Sequence, residues 1–197
     1  LYLHDADASI FEKHWDGLTT LMRHFEDTSD GWVLTEGFGD WFDPGGDANV
    51  SHTPPALTST LWFLRCAQVM ARAANLLGRP DESEAYRGRE KRITSAILDR
   101  FYNRDAGTFG SQTADAMALA FGVAEDDEAW RVLGSLVEDI HRRDDHLNVG
   151  IMGLRFLFEV LTRRGHGDLA LKMLHRDDYP SFGDLIGRGA TTLWEWW

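Results

Sequence analysis

A single carboxylate stands among indoles near the end of this chain. Glu195 is flanked by Trp194, Trp196 and Trp197, after the run Gly187-Arg188-Gly189-Ala190-Thr191-Thr192-Leu193. Indole faces are flat and apolar and stack on sugar rings, and a lone Glu between them suits acid or base work on a saccharide. Glu195 is therefore the expected catalytic group and Trp194 an expected stacking face. A second constellation is Gly37-Phe38-Gly39-Asp40-Trp41-Phe42-Asp43-Pro44. Its glycines let backbone come close to a ligand. Asp40 offers acceptor oxygens to sugar hydroxyls and Trp41 a further stacking face. The same residues also read as a tight turn with Asp43 capping ahead of Pro44. A third is Gly107-Thr108-Phe109-Gly110-Ser111-Gln112-Thr113. Ser111 is placed to cap a helix beginning near Gln112. Gln112 is then expected to meet hydroxyls from the helix start, with Phe109 as an apolar wall. Capping alone also accounts for this segment.

Other chemistries find no footing. The eight His form no HExxH pattern and no Cys/His cluster, so no metal is expected. There is no GxGxxG after a strand, no P-loop and no GxSxG, and no cofactor is expected. His52 falls in the long loop, roughly 28–53, that carries Asp40 and Trp41. Arg89-Glu90-Lys91 reads as a solvated, salt-bridged helix face. The pairs Asp126-Asp127 and Asp144-Asp145 read as solvated caps.

The elements that must position these groups are helical almost throughout. Ile10, Phe11, His14, Trp15, Leu18, Leu21, Met22 and Phe25 recur at helical spacing. Pro54-Pro55 opens a second helix with Leu57, Leu61, Leu64, Ala67, Met70, Ala71 and Ala74 on its apolar side, and Gly78-Arg79-Pro80 ends it. Asp81 is expected to cap a third, which carries Tyr86, Ile93, Ala96, Ile97 and Phe101. Further helices are expected over 113–121, 127–142, 151–163 and 168–174. Trp32-Val33-Leu34 and Thr191-Thr192-Leu193-Trp194 are short β-prone runs. The pattern is one of helical hairpins in series with functional loops at one end. A loop as long as 28–53 is uncommon in a compact domain unless it has a task.

Composition narrows the function. At 197 residues the chain is of single-domain size. Eight Trp, eleven Phe and four Tyr exceed the ordinary need of such a core and suit the lining of a cleft, although a Trp-rich core reads the same way. A net charge of −12 repels nucleic-acid phosphates and anionic membrane surfaces, and fits a neutral small molecule. The single cysteine, Cys66, lies in an apolar helical stretch and reads as an inert thiol. No apolar run approaches the roughly 20 residues of a membrane span.

On its motifs the chain resembles the six-hairpin catalytic domain of bacterial α-L-rhamnosidases, glycoside hydrolase family 78. The blocks that carry the resemblance occur in order: Gly39-Asp40-Trp41, Thr53-Pro54-Pro55, Ser111-Gln112-Thr113-Ala114-Asp115-Ala116-Met117-Ala118-Leu119, Gly150-Ile151-Met152-Gly153, Gly165-His166-Gly167-Asp168-Leu169-Ala170, Tyr179-Pro180-Ser181-Phe182-Gly183, and last Gly189-Ala190-Thr191-Thr192-Leu193-Trp194-Glu195. The resemblance implies an all-α fold, an (α/α)6 toroid. It implies hydrolysis of terminal α-L-rhamnosides with inversion, Glu195 as general base, and Asp40 and Trp41 at the rhamnose site.

The family's general acid lies in an upstream block like Asp-Cys-Pro-Gln-Arg-Glu followed by Gly-Trp, which does not occur here. Arg89-Glu90-Lys91 echoes its Arg-Glu without the flanking residues. After the base the family has Arg-Trp, where this chain has Trp196-Trp197. The helices above are too few to close six hairpins. Residues 1–197 are therefore expected to be the later part of the catalytic domain, an incomplete barrel without its acid, and inactive or nearly so in isolation. Two alternatives stand beside this reading: a six-hairpin glycosidase acting on another sugar, and a non-catalytic sugar-binding module on the same helices. Localisation, aglycone and oligomeric state are not legible in the sequence.

Overall fold

A computed structural model describes residues 6–45, 51–194 and 196–197. Among the described residues eight helices follow in order: α1 Ser9–Thr28, α2 Pro55–Leu76, α3 Pro80–Phe101, α4 Gln112–Phe121, α5 Asp126–Arg142, α6 Ile151–Arg163, α7 Gly167–Leu174 and α8 Phe182–Gly187. The all-helical expectation holds, and there is no strand among the described residues. The β-prone run at Trp32 is a turn with one isolated antiparallel bridge, Asp30 to Val33. The β-prone run 191–194 is an irregular strap.

The helices divide into two layers. α2 packs on α3, α4 on α5 and α6 on α7, while α2 touches α4 and α4 touches α6. α2, α4 and α6 thus form an inner row, and each is followed by an outer partner. Burial agrees. Nine of the ten residues of α4 are buried, whereas α5 buries one stripe, Ala129, Val132, Leu133, Leu136 and Ile140, at the spacing of an outer amphipathic helix. The inner helices are stopped by one repeated device. Gly78, Gly122 and Gly165 take positive φ, which an L side chain resists. The residue after each donates back to a carbonyl of the last turn: Arg79 N to Ala74 O at 2.9 Å, Val123 N to Ala118 O at 2.9 Å and His166 N to Leu161 O at 2.8 Å.

Two reversals separate each inner helix from the next, so α2, α4 and α6 run parallel and their N-termini share one end. Side chains knit that end together. The Thr53 and Ser111 hydroxyls, just ahead of α2 and α4, are 2.6 Å apart. Ser111 also accepts from Ala114 N at 3.1 Å, the cap expected from sequence. Ser111→Ala is expected to cost about 1–2 kcal/mol, read as a lowered thermal midpoint of the domain.

Two local expectations are corrected. α3 is opened by Pro80 in its first turn rather than by an Asp81 cap, and no side chain caps it. Asp145 is buried rather than solvated, paired with His141 at 2.5 Å and with Lys172. Arg89 is salt-bridged as expected, to Glu26 at 2.6 Å. The half-buried Cys66 thiol is pushed upward in pKa by burial, in keeping with an inert group. No described helix is long and apolar enough to cross a membrane.

Candidate active site

The loop between α1 and α2 returns across the N-terminal end of the inner row, and Asp40 is its fastener. Gly150, the residue before α6, has no side chain with which to cap that helix. Asp40 supplies the cap from a distance. Its Oδ2 accepts from Gly150 N at 2.7 Å, and its Oδ1 accepts from Met152 N at 2.9 Å and Gly153 N at 3.2 Å. The Thr113 hydroxyl of α4 donates to Oδ2 as well. Ile151 N completes the set by donating to Trp41 O at 3.0 Å. The orphan amides of the first turn of α6 are thus satisfied by one loop. Burial pushes the Asp40 carboxyl up in pKa, against the downward pull of Thr113 and the three amides.

Close approach explains two glycines here. A Cβ on Gly150 would lie 2.1 Å from Trp41 O, and one on Gly153 would lie 2.2 Å from Thr113 Oγ1. The expectation that Asp40 meets sugar hydroxyls is corrected by this geometry. The residue is 1% exposed and both oxygens are occupied, so its part is to hold Trp41 and the start of α6 in place.

Gln112 is likewise internal. Its Oε1 accepts from Asn148 N at 2.7 Å, and its Nε2 donates to Asp139 Oδ2 at 3.0 Å and His146 O at 3.4 Å. It ties α4 to the segment leading into α6 instead of facing a ligand. Phe109 is buried against Tyr102, with ring centroids 5.0 Å apart, and is core rather than pocket wall. Asp115 pins the Phe109 turn, accepting from Thr108 Oγ1 at 2.7 Å and Phe109 N at 2.6 Å beside a cleft of about 300 Å³. Burial raises its pKa to about 7 from an ordinary 3.8, and nearby Asp139 adds to the rise. The folded state therefore holds this proton more tightly than the unfolded chain does. Its stabilising contribution is complete below about pH 4 and is lost as pH rises through about 7. Asp115→Asn is expected to flatten that pH dependence, and melting curves across pH 4–8 compare the two proteins.

The aromatic groups are the ones that stay available. Trp41 is half-buried between Phe38, at 5.6 Å, and Phe42, at 5.4 Å, and its buried indole N–H has no hydrogen-bond partner among the described residues. Phe38 is 82% exposed. The C-terminal strap docks at this same end. Trp197 Nε1 donates to Val149 O at 2.9 Å, immediately ahead of α6, and its ring packs on Phe182 of α8. Trp196 stacks on Phe42 at 4.7 Å. Trp194 is partly exposed, under the Arg188 guanidinium at 5.3 Å. Between strap and α6 only about 30 Å³ remains, far below the roughly 300–1,000 Å³ of a ligand pocket, so that contact is packing. Glu195, the expected base, lies outside the described residues. The structure brings its sequence neighbours Trp194, Trp196 and Trp197 to the end that holds Trp41, and leaves Phe109 and Gln112 in the interior.

Sequence reasoning missed two features of this end. One is the cap on α6, whose glycine N-cap was the available signal. The other is the pairing of Asp43 with His52, at 2.9 Å from Oδ2 to Nδ1, across the loop. Among the described residues there is no group of three or more His, Cys, Asp or Glu that could hold a metal ion.

Comparison with known proteins fits this architecture. The family model for the bacterial alpha-L-rhamnosidase 6 hairpin glycosidase domain matches residues 1–197. An alpha-L-rhamnosidase of Formosa agariphila is 30% identical over 202 residues, covering 100% of this chain and 22% of the relative. One of Streptomyces avermitilis is 32% identical over 200 residues, covering 100% of this chain and 19% of the relative. Among solved structures, the alpha-L-rhamnosidase from Dictyoglumus thermophilum superposes with a TM-score of 0.91 at 32% identity, covering 98% of this chain and 22% of that one. The Streptomyces avermitilis alpha-L-rhamnosidase complexed with L-rhamnose gives 0.86 at 30%, covering 98% of this chain and 18% of that one. The chain spans about a fifth of the length of the relatives it matches.

Proposed function

Since the chain belongs to the bacterial alpha-L-rhamnosidase six-hairpin glycosidase family, we propose that it serves in hydrolysing terminal α-L-rhamnosides with inversion, Glu195 acting as general base. The observation that carries this reading is the docking of the tryptophan strap onto the Trp41 loop, at the shared N-terminal end of the inner helices. Three hairpins supply part of a ring of six. The remaining hairpins, and with them the general acid, are assigned to the protein outside these 197 residues.

Each group then has a task set by its chemistry. Trp41 and Trp194 offer apolar faces to the sugar ring and to the C6 methyl that distinguishes a 6-deoxyhexose. Asp40, through Gly150, Met152, Gly153 and Thr113, keeps Trp41 in register with α6. Glu195, ionised, takes a proton from water as that water attacks the anomeric carbon. On the opposite face the acid protonates the leaving oxygen. Inversion requires the two carboxyl groups to stand roughly 6.5–9.5 Å apart, leaving room for the water. Closure of the ring by the rest of the protein supplies the facing wall.

The test is hydrolysis of an aryl α-L-rhamnoside by the intact protein against a panel of other aryl glycosides. Preference for the rhamnoside is the expected outcome. Preference for another sugar would leave the hydrolase and overturn the substrate. Saccharide binding with no hydrolysis in the intact protein would leave only a binding module.

A further inference from the structure

We propose that His52, held by the buried Asp43 carboxylate, is a further substrate-contacting residue of this site, its Nε2 accepting a hydrogen bond from a saccharide hydroxyl; the inference rests on the rhamnoside-hydrolase reading. Asp43 is 1% exposed, and its Oδ2 receives the His52 backbone N–H at 2.7 Å and faces His52 Nδ1 at 2.9 Å. Asp43 Oδ2 is an acceptor for a hydrogen on Nδ1, and the tautomer with its hydrogen there has a bare lone pair at Nε2. The His52 side chain is 47% exposed, and Nε2 has no partner among the described residues. One side of the ring is thus fixed and the other is open.

A second observation points to a ligand. A buried carboxylate normally fills both oxygens with donors. Among the described residues Asp43 Oδ1 is buried and without a hydrogen-bond partner, and so is the Trp41 indole N–H on the same turn. Both atoms are buried, two residues apart on the turn whose aromatic neighbours are the exposed Phe38 and the Phe42–Trp196 stack. Aromatic faces beside an anchored acceptor such as His52 Nε2 are what a hydroxylated ring requires.

The residues on either side of His52 are bonded into the site. Ser51 Oγ accepts from Asp40 N at 3.3 Å and from Thr53 N at 3.2 Å, and Thr53 is hydrogen-bonded to the Ser111 cap of α4. A ring anchored at Nδ1 and flanked by such fixed backbone is preorganised, which lowers the entropic cost of accepting a hydroxyl. In this arrangement Asp43 is a positioning residue, acting through the tautomer of His52.

The experiment compares wild type, His52→Ala and Asp43→Asn in the intact enzyme, on an aryl α-L-rhamnoside and its monodeoxy analogues. His52→Ala is expected to raise KM about 3–10-fold with kcat little changed, the size of one lost hydrogen bond. For the one analogue lacking the bonded hydroxyl, wild type and variant are expected to coincide. Asp43→Asn, which frees the ring to take either tautomer, is expected to raise KM in the same direction and to lose the same hydroxyl dependence. If Asp43→Asn does not fold, the partly exposed His52→Ala still decides the matter. An unchanged KM in His52→Ala, or a rise equal across all analogues, overturns the contact. Wild type that turns over rhamnosides with His52→Ala indistinguishable from it defeats this inference alone. Wild type inert on every rhamnoside defeats the functional reading beneath it, and the inference with it.

Discussion

In the intact enzyme, Glu195→Gln is expected to lower kcat on an aryl α-L-rhamnoside by about 10²–10⁴-fold while L-rhamnose still binds. Glutamine keeps the length of the side chain and an acceptor oxygen, but it cannot take the proton that water must shed as it attacks. The stacking proposed for Trp41 and Trp194 does not depend on that proton, so the loss is expected on kcat and not on binding. The melting temperature is expected to move little, since the exchange keeps the size and shape of the side chain. A rate within a few-fold of wild type removes Glu195 from its role. Parallel measurements of turnover and of rhamnose affinity separate the two losses.

Asp40→Ala is expected to act through the fold. It strips the acceptor from three backbone amides and the Thr113 hydroxyl at once, at a junction of α4, α6 and the Trp41 loop. Buried donors left without partners cost about 1–3 kcal/mol each. Partial entry of water lowers the sum, and a loss of about 3–5 kcal/mol is expected, a large share of a domain's stability. Asp40→Asn is expected to be milder but still harmful, because its amide nitrogen must face donors where a carboxylate oxygen now accepts. Thermal unfolding and soluble yield measure the effect, and activity is expected to fall with folded fraction. Lost activity with unchanged melting would contradict this role and return Asp40 to the sugar.

Much of this architecture was legible because the helices are long and periodic. The run Leu57, Leu61, Leu64, Ala67 and Met70 spells an apolar face in sequence, and in the structure these side chains are all buried in α2. The Pro54-Pro55 start and the Gly78 stop were local signals of backbone geometry, readable without tertiary information. α8 was missed, because six residues cannot display a period. The β-prone runs at Trp32 and Thr191 had no partner strand, and packing settled their shape.

The candidate site was less legible, for a physical reason. The sequence shows that an aspartate stands beside a tryptophan. It does not show which of the two faces outward. Asp40 and Gly150 are 110 residues apart, and only the fold reveals that the first caps the helix begun by the second. Gln112 was misread in the same way, since its partners Asp139 and Asn148 come from other elements. For the aromatic residues the signal was their number and clustering. Trp41, Trp194 and Trp196 are too many and too clustered to be absorbed by a small core, and they remain partly accessible.

The central claim, base-catalysed attack of water on the face opposite the leaving group, is tested most directly by proton NMR of the first sugar released. The intact enzyme is mixed with an aryl α-L-rhamnoside and the anomeric signals are followed from the earliest time points. β-L-rhamnose appearing first, and only later equilibrating with the α anomer, is the expected result. α-L-rhamnose appearing first would mean retention, and would contradict a mechanism in which Glu195 activates water.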